Sequence, residues 1–149
     1  MKKAMTLTIV ALGLVTATTF AQLRKVPAGA TNSLKAKFPK AADVTWKDNL
    51  TDWKAEFTDD GVKTAVYFSG KGEWKETDRE LTYEALPQAV KDGFKKSKYN
   101  DWTPGSVVAI DKKDKDFQYR VYAEKSSLIQ KKYLYFNKEG VLQKDAQTI

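Results

Sequence analysis

The sequence predicts an α+β fold in which two tandem units, each a helix followed by antiparallel strands, share one sheet and carry both helices on one face. Three observations lead to this prediction. Apolar residues recur four positions apart in two short segments, which is the spacing of a helix stripe. Apolar and polar residues alternate in several runs, which is typical of half-buried strands. Short turn sequences rich in Gly, Asp and Asn join those runs, so consecutive strands must be antiparallel.

Each predicted helix has three apolar residues on one stripe. The stripes consist of Ala30, Leu34 and Phe38 in the first helix and of Leu86, Val90 and Phe94 in the second. Pro39 ends the first helix, because proline lacks an N–H and clashes with the preceding turn. Pro87 lies near the start of the second helix, where no N–H is needed from it. The shared spacing predicts that Phe38 and Phe94 are equivalent core residues packed on the sheet.

Strand patterns follow each helix in the same order. The first unit has them at 44–46, 53–57, 67–68 and 73–77, and the second at 108–110, 117–123, 135–136 and 141–144. The offset between matching segments grows from 56 in the helices to 68 in the last strands, as loop insertions in a second copy would produce. The two units therefore span about residues 26–80 and 81–149, within one domain of residues 22–149.

Alternation also assigns the two faces of the sheet. Phe68, Leu134 and Phe136 are more apolar than the tyrosines beside them, so we expect them to face the helices. Their neighbours then lie on the open face, and Tyr and Arg are enriched in binding hot spots. The candidate partner-binding residues are Tyr67, Arg120, Tyr122, Tyr133 and Tyr135. The alternative is that these tyrosines form cross-strand pairs that only stabilise the sheet.

Missing residue types limit the chemistry of the chain. Its 149 residues include no histidine and no cysteine. Ser-His-Asp and Cys-His catalysis, zinc sites built from His or Cys, and disulfides are therefore excluded. We predict no catalytic residues, no metal site and no cofactor.

Two loop segments contain residue types that binding or metal sites often use. The acidic run Asp111–Asp116 includes three lysines and no Gly or distal Glu, so it predicts a solvated hairpin tip rather than a calcium loop. Trp102 follows the second helix. Its sequence context fits either an anchor that holds the loop on the core or an exposed contact.

The charge distribution argues against a nucleic-acid partner. The net charge is +7, with acidic and basic residues interspersed along the chain. Nucleic-acid-binding domains gather Lys and Arg on one face or stripe. The longest basic cluster here, Lys95–Lys98, lies at the predicted end of a helix, where lysines complement the helix dipole.

Several core and turn segments together resemble one protein family. They are Phe38–Trp46, Trp53–Phe57, Tyr67-Phe68 with Gly72-Glu73-Trp74, and Leu86–Val90. In these segments the chain resembles the PepSY-like family of exported bacterial proteins, also described as β-lactamase-inhibitor-like, over about residues 26–145. The resemblance implies tandem units, a long antiparallel sheet and helices on one side. It implies no catalytic residues, and it does not imply inhibition of a β-lactamase.

These observations favour an exported, non-enzymatic binding or inhibitor-like module that presents the open sheet face to a protein or peptide of the cell envelope. Two alternatives remain open. A small-ligand sensor or envelope chaperone would need a concave, largely apolar pocket. A carboxylate-based hydrolase would need two acids at a set separation across a cleft.

Residues 1–21 have the three-part pattern of a secretory signal peptide. Lys2 and Lys3 form a basic start, an apolar run extends from Ala4 to Ala17, and Thr19-Phe20-Ala21 forms a small-x-small cleavage site. The apolar run is too short to cross roughly 30 Å of hydrocarbon. No cysteine follows it that could carry a lipid anchor. We therefore expect a periplasmic or secreted protein without a stable membrane anchor.

The mature protein is expected to begin at Gln22, because signal peptidase cleaves after a small-x-small site. It would then carry 24 basic and 19 acidic residues, a net charge of +5. Mass spectrometry of the protein isolated from its native cells checks this. An exported protein that retains Met1 would contradict the prediction.

Overall fold

One eight-stranded antiparallel sheet and two α-helices make up the part of the chain that the computed structural model describes, residues 24–148. The predicted signal peptide and the predicted first mature residue lie outside the described residues. The first half contains α1 (Ala28–Lys37), β1 (Thr45–Asp48), β2 (Asp52–Asp59), β3 (Val62–Ser69) and β4 (Trp74–Leu81). The second half contains α2 (Gln88–Lys96), β5 (Thr103–Lys112), β6 (Gln118–Lys125), a 3₁₀ turn (Ser126–Leu128), β7 (Gln130–Phe136) and β8 (Leu142–Gln147).

The strands lie in the sheet in chain order, from β1 at one edge to β8 at the other. Every neighbouring pair is antiparallel, as the short turns require. The β2–β3 turn shows why: Asp60 and Gly61 both have positive φ, which is the conformation of a two-residue hairpin. The predicted α+β class with one antiparallel sheet is therefore confirmed.

A separate apolar cluster lies under each helix. Under α1 the buried residues are Ala30, Leu34, Trp53, Ala55, Phe57, Val66 and Phe68. Under α2 they are Leu86, Val90, Phe94, Tyr99, Trp102, Val107, Val121, Ala123, Leu134 and Phe136. The strand register places both clusters on one face. Val66, of the α1 cluster, lies opposite Thr77 on β4, and Val107, of the α2 cluster, lies opposite Leu81, four residues further along β4. Residues an even number apart on a strand point to the same side, so both clusters lie on that side. Both helices therefore cover the same side of the sheet, as predicted.

Glycines let each helix start directly on a turn of the sheet. Gly72, in the β3–β4 turn, has φ +88°, and a Cβ there would lie 2.6 Å from the backbone nitrogen of Ala30 in α1. Gly140, in the β7–β8 turn, has φ +81°, and a Cβ there would overlap the carbonyl oxygen of Ala89 in α2. Backbone therefore packs on backbone at both positions, and only glycine fits.

The predicted equivalence of Phe38 and Phe94 is wrong by about one helical turn. Pro27 and Pro87 each precede the first residue of a helix, with nearly the same extended backbone. Counted from these prolines, the residue that corresponds to Phe94 is Leu34, and both are buried inside their helices.

Phe38 lies beyond the last residue of α1 and is only half-buried. The residue before a proline is driven out of the helical conformation, so the stripe cannot continue to Phe38. Its ring packs edge-on against Phe57, with 5.2 Å between the ring centroids. That the two halves of the chain are copies of one unit stays a prediction.

Gly140→Ala is expected to destabilise the fold far more than Gly61→Ala. Both glycines have φ near +80°, so both substitutions carry the cost of a left-handed residue, about 1–2 kcal/mol. A Cβ at Gly61 meets no atom within 4 Å, whereas one at Gly140 overlaps helix α2. We expect Gly140→Ala to lower the free energy of unfolding by more than about 4 kcal/mol, because single substitutions cost this much only when they disrupt a specific structural contact. Urea unfolding midpoints check this, and equal losses at the two sites would contradict backbone contact between helix and turn.

Candidate functional site

The five residues predicted to bind a partner all lie on the open face of the sheet, opposite the helices. Their chain neighbours Phe68, Val121, Leu134 and Phe136 are fully buried on the helix side, so the predicted alternation is confirmed. Four of the five form two cross-strand pairs between β6 and β7, which are Arg120 with Tyr135 and Tyr122 with Tyr133. Tyr67 lies three strands away on β3. The structure therefore brings four of the candidates together and leaves Tyr67 apart.

The tyrosine rings of this face are already in contact with other side chains of the chain. The guanidinium carbon of Arg120 lies 5.1 Å from the centre of the Tyr133 ring, and Tyr122 meets the same ring edge-on at 6.0 Å. The ammonium of Lys144 lies 4.3 Å from the centre of the Tyr135 ring, which is a cation–π contact. These contacts stabilise the sheet, so they fit the alternative in which the tyrosines are structural.

Irregularities in the strands position several of these side chains, and the sequence pattern did not predict them. A register shift occurs between Tyr67 and Phe68, and another occurs between Tyr135 and Phe136. Bulges of this kind bend the strand and re-aim its side chains. A third shift surrounds Gly105, where a Cβ would lie 2.8 Å from the Tyr122 ring. A glycine inside a strand pattern is the sequence signal that could have identified this last site.

A concave pocket of about 540 Å³ opens on this face above the middle strands. Half of its twelve lining residues are charged: Lys54, Glu56, Lys63, Asp78, Glu80 and Arg120. Of the five candidates, only Tyr67 and Arg120 line it. Arg120 and Tyr133 also line a smaller depression of about 260 Å³ on the side of β7.

Most charges in and around the pocket are paired. Lys54 Nζ lies 2.6 Å from a carboxylate oxygen of Glu56, which also pairs with Lys47. These lysines, Lys47 first, lower the pKa of Glu56, and the bond to Glu56 raises the pKa of Lys54. Lys112 Nζ lies 2.8 Å from the carboxylate of Glu76. Charges that are compensated in this way offer little net attraction to a partner.

Asp78 and Arg120 are the exceptions, and Asp78 was not among the predicted residues. Within residues 24–148, neither side chain forms an ion pair within 4.0 Å, and Oδ1 of Asp78 is buried without a hydrogen-bond partner. Burial first, and then the negative charge of Glu76, raise the pKa of Asp78 from 3.8 to about 6. The positive charges of Arg120 and Lys54 oppose this increase. An aspartate in the middle of a strand is unusual, and that was the available sequence signal.

The structure shows the surroundings of both loop segments singled out in the sequence, residues 111–116 and Trp102. Residues 111–116 are all exposed around the β5–β6 hairpin, as predicted. No group of three acidic, His or Cys residues that could hold a metal ion occurs among the described residues. Trp102 is buried in the cluster under α2 and packs edge-on against Tyr99, with 5.0 Å between the ring centroids. It is therefore an anchor on the core.

Known structures contain the same arrangement. A BLIP-like protein from Bacteroides fragilis has 26% sequence identity and a TM-score of 0.78, over 85% of this chain and 89% of that chain. A DUF2874 family protein from Bacteroides ovatus has 22% identity and a TM-score of 0.77, over 83% and 89%. A Bacteroides eggerthii structure, described among "putative periplasmic proteins", has 22% identity and a TM-score of 0.75, over 83% and 90%. No curated protein matches the chain.

Eight antiparallel strands in sequential order, with two helices on one face, define the BLIP-like fold. The chain belongs to the PepSY-like family described as "Putative beta-lactamase-inhibitor-like, PepSY-like", whose sequence model matches residues 51–144. The matched range begins at the β1–β2 turn, so it is shorter than the range of 26–145 expected from the sequence. None of the described helices is long and apolar enough to cross a membrane.

Asp78→Asn is expected to stabilise the protein at pH 8. The folded-state pKa of about 6 lies above the ordinary value of 3.8, so ionised Asp78 destabilises the fold above pH 6, and this effect disappears below about pH 4. Solvent screens the partly exposed carboxylate, so we expect a gain of only about 1 kcal/mol. Urea unfolding between pH 3.5 and 8 checks this. Asp116→Asn at the exposed hairpin tip is the control, and an equal gain there, or none at Asp78, would contradict the assignment.

Proposed function

We propose that the chain is an exported, non-enzymatic binding module, inhibitor-like in form, that presents the open face of its sheet to a protein or peptide partner of the cell envelope. One observation carries the proposal. The open face holds a pocket in which Asp78 and Arg120 have no ion-pair partner within residues 24–148, whereas the lysines and glutamates around them are paired. Unpaired charges in a concave site are what a binding partner would complete.

Export to the periplasm is supported by independent observations. The signal-peptide pattern of residues 1–21 predicts it. The Bacteroides eggerthii protein of similar fold is described among "putative periplasmic proteins". The proposed partner is therefore a component of the envelope.

The lining of the pocket favours a protein or peptide over a small apolar ligand. Small-molecule sites are lined mainly by apolar and aromatic side chains. Here charged side chains form half of the lining, and the neighbouring face supplies Arg120 and Tyr133, of the types that dominate protein interfaces.

The two halves of the module are best explained as copies of one unit. Each half has the order helix and then four strands. The turns that receive the helices match in detail: the N–H of Glu73 donates to Oγ of Ser69 at 3.2 Å, and the N–H of Val141 donates to Oδ1 of Asn137 at 2.8 Å. Duplication would thus have produced an open face wide enough for a macromolecule.

A carboxylate-based hydrolase is the second candidate, and one observation favours it. Asp78 and Glu80 both line the pocket and lie two residues apart on β4, so their Cα atoms are about 7 Å apart. A raised pKa such as that of Asp78 is typical of a general acid. Against this role, Glu80 is exposed and lies 4.0 Å from Lys63 Nζ, outside any enclosed cleft. Turnover of chromogenic glycosides that disappears in Asp78→Asn would favour the hydrolase.

Replacing the open-face rings is expected to abolish capture of envelope proteins. The test variant carries Tyr67→Ser, Tyr122→Ser and Tyr135→Ser, and the control carries Lys35→Ser and Lys95→Ser on the exposed sides of the helices. Each variant is immobilised and incubated with envelope extract, and its thermal unfolding is measured in parallel. We expect the control to retain the bound proteins and the test variant to lose them while still folded. Undiminished capture with lowered stability would show that the tyrosines are structural.

A further inference from the structure

We propose that the partner inserts a basic side chain, lysine or arginine, carried on a protein loop, into the open-face pocket, where it pairs with the carboxylate of Asp78. This inference rests on the proposed function and specifies the chemistry of the partner at that same face. The structure provides three supporting features: an incompletely paired acid, a space beside it, and walls suited to an aliphatic stem.

Among residues 24–148 Asp78 Oδ1 finds no hydrogen-bond donor, because of the position of Asp78 in the sheet. Its two cross-strand neighbours are Ala65 on β3 and Ile110 on β5, and neither side chain has a hydrogen-bond donor. Oδ1 is therefore buried and without a partner among the described residues. Buried acceptors without a donor are rare in folded proteins and require an explanation. Asp78 as a whole is only half-buried and lines the pocket, so a partner's cation placed there, beside the exposed part of the carboxylate, would compensate its charge.

The space beside Asp78 comes from the small side chain of Ala65. Both residues line the pocket, together with Tyr67, Val108 and Arg120. Lysine and arginine bury their methylene stems against apolar surface while the charged end finds a polar partner. Ala65, Val108 and the ring of Tyr67 supply such a surface.

Charge complementarity selects a cation as the occupant. The groups that act on Asp78 are Glu76 on its own strand, Arg120 and Lys54 across the sheet, and Tyr67 and Lys112 on the flanking strands. Lys54 is engaged by Glu56 and Lys112 by Glu76, while Arg120 stacks on the ring of Tyr133. No cation of the described chain therefore reaches the Asp78 carboxylate, and a partner's carboxylate placed there would meet like charge.

The probe for the test is a display library of cyclic peptides with seven randomised positions, selected against the folded wild-type protein at pH 7.5. We expect the selected peptides to share a lysine or arginine. One synthetic peptide is then titrated into the wild type, Asp78→Asn and the charge-matched control Asp116→Asn. We expect Asp78→Asn to weaken binding at least tenfold and Asp116→Asn to change it less than twofold. Affinity for the wild type should also fall as the pH is lowered below 6.

The same titrations separate this inference from the proposed function. A third variant, with Tyr67→Ser and Arg120→Gln, changes two other residues that line the pocket and keeps the Asp78 carboxylate itself. If it loses binding while Asp78→Asn retains it, docking on the open face stands and the basic occupant is overturned. If both retain binding, the peptide binds elsewhere and both proposals fail. Selected peptides that lack a shared basic residue would also overturn the inference. Asp78→Asn is expected to be more stable than the wild type, so its loss of binding would not be due to unfolding.

Discussion

Backbone contact between each helix and a glycine turn is the constraint on which the rest of the structure depends. Gly72 and Gly140 allow α1 and α2 to start directly on the β3–β4 and β7–β8 turns. The helices then lie close enough to bury the alternating apolar residues of one sheet face. No described element covers the opposite face, and it therefore carries the polar and aromatic residues that alternation leaves over. The candidate site is a consequence of how the helices dock.

Periodicity predicted the faces of the sheet but not the ends of the helices. The Tyr67-Phe68 and Tyr135-Phe136 pairs were assigned correctly, because burial of one residue sends its neighbour to the other side. The helix alignment was wrong because Phe38 continues the apolar spacing across a helix end. The spacing of apolar residues does not show where a helix begins or ends. Pro27 and Pro87, by contrast, lie directly before the first residue of each helix.

The most informative residue of the site could not be found from spacing, because its properties come from other strands. Within residues 24–148 Asp78 has no ion-pair partner, since its cross-strand neighbours are Ala65 on β3 and Ile110 on β5. Alternation assigns a residue to a face but does not say which residues lie beside it. An acid that lowers stability and lines a pocket is typical of a functional position, where binding is retained at the expense of stability.

The most direct measurement of the central claim is a carbon-13 NMR titration of the carboxyl groups in the folded protein, with Asp78 assigned by its loss in Asp78→Asn. If Asp78 is a half-buried carboxylate whose Oδ1 lacks a donor, its signal should titrate near pH 6, well above the ordinary value of 3.8. A midpoint at or below 3.8 would show that Asp78 is solvated or already paired. It would then remove the basis for a partner-completed charge on the open face.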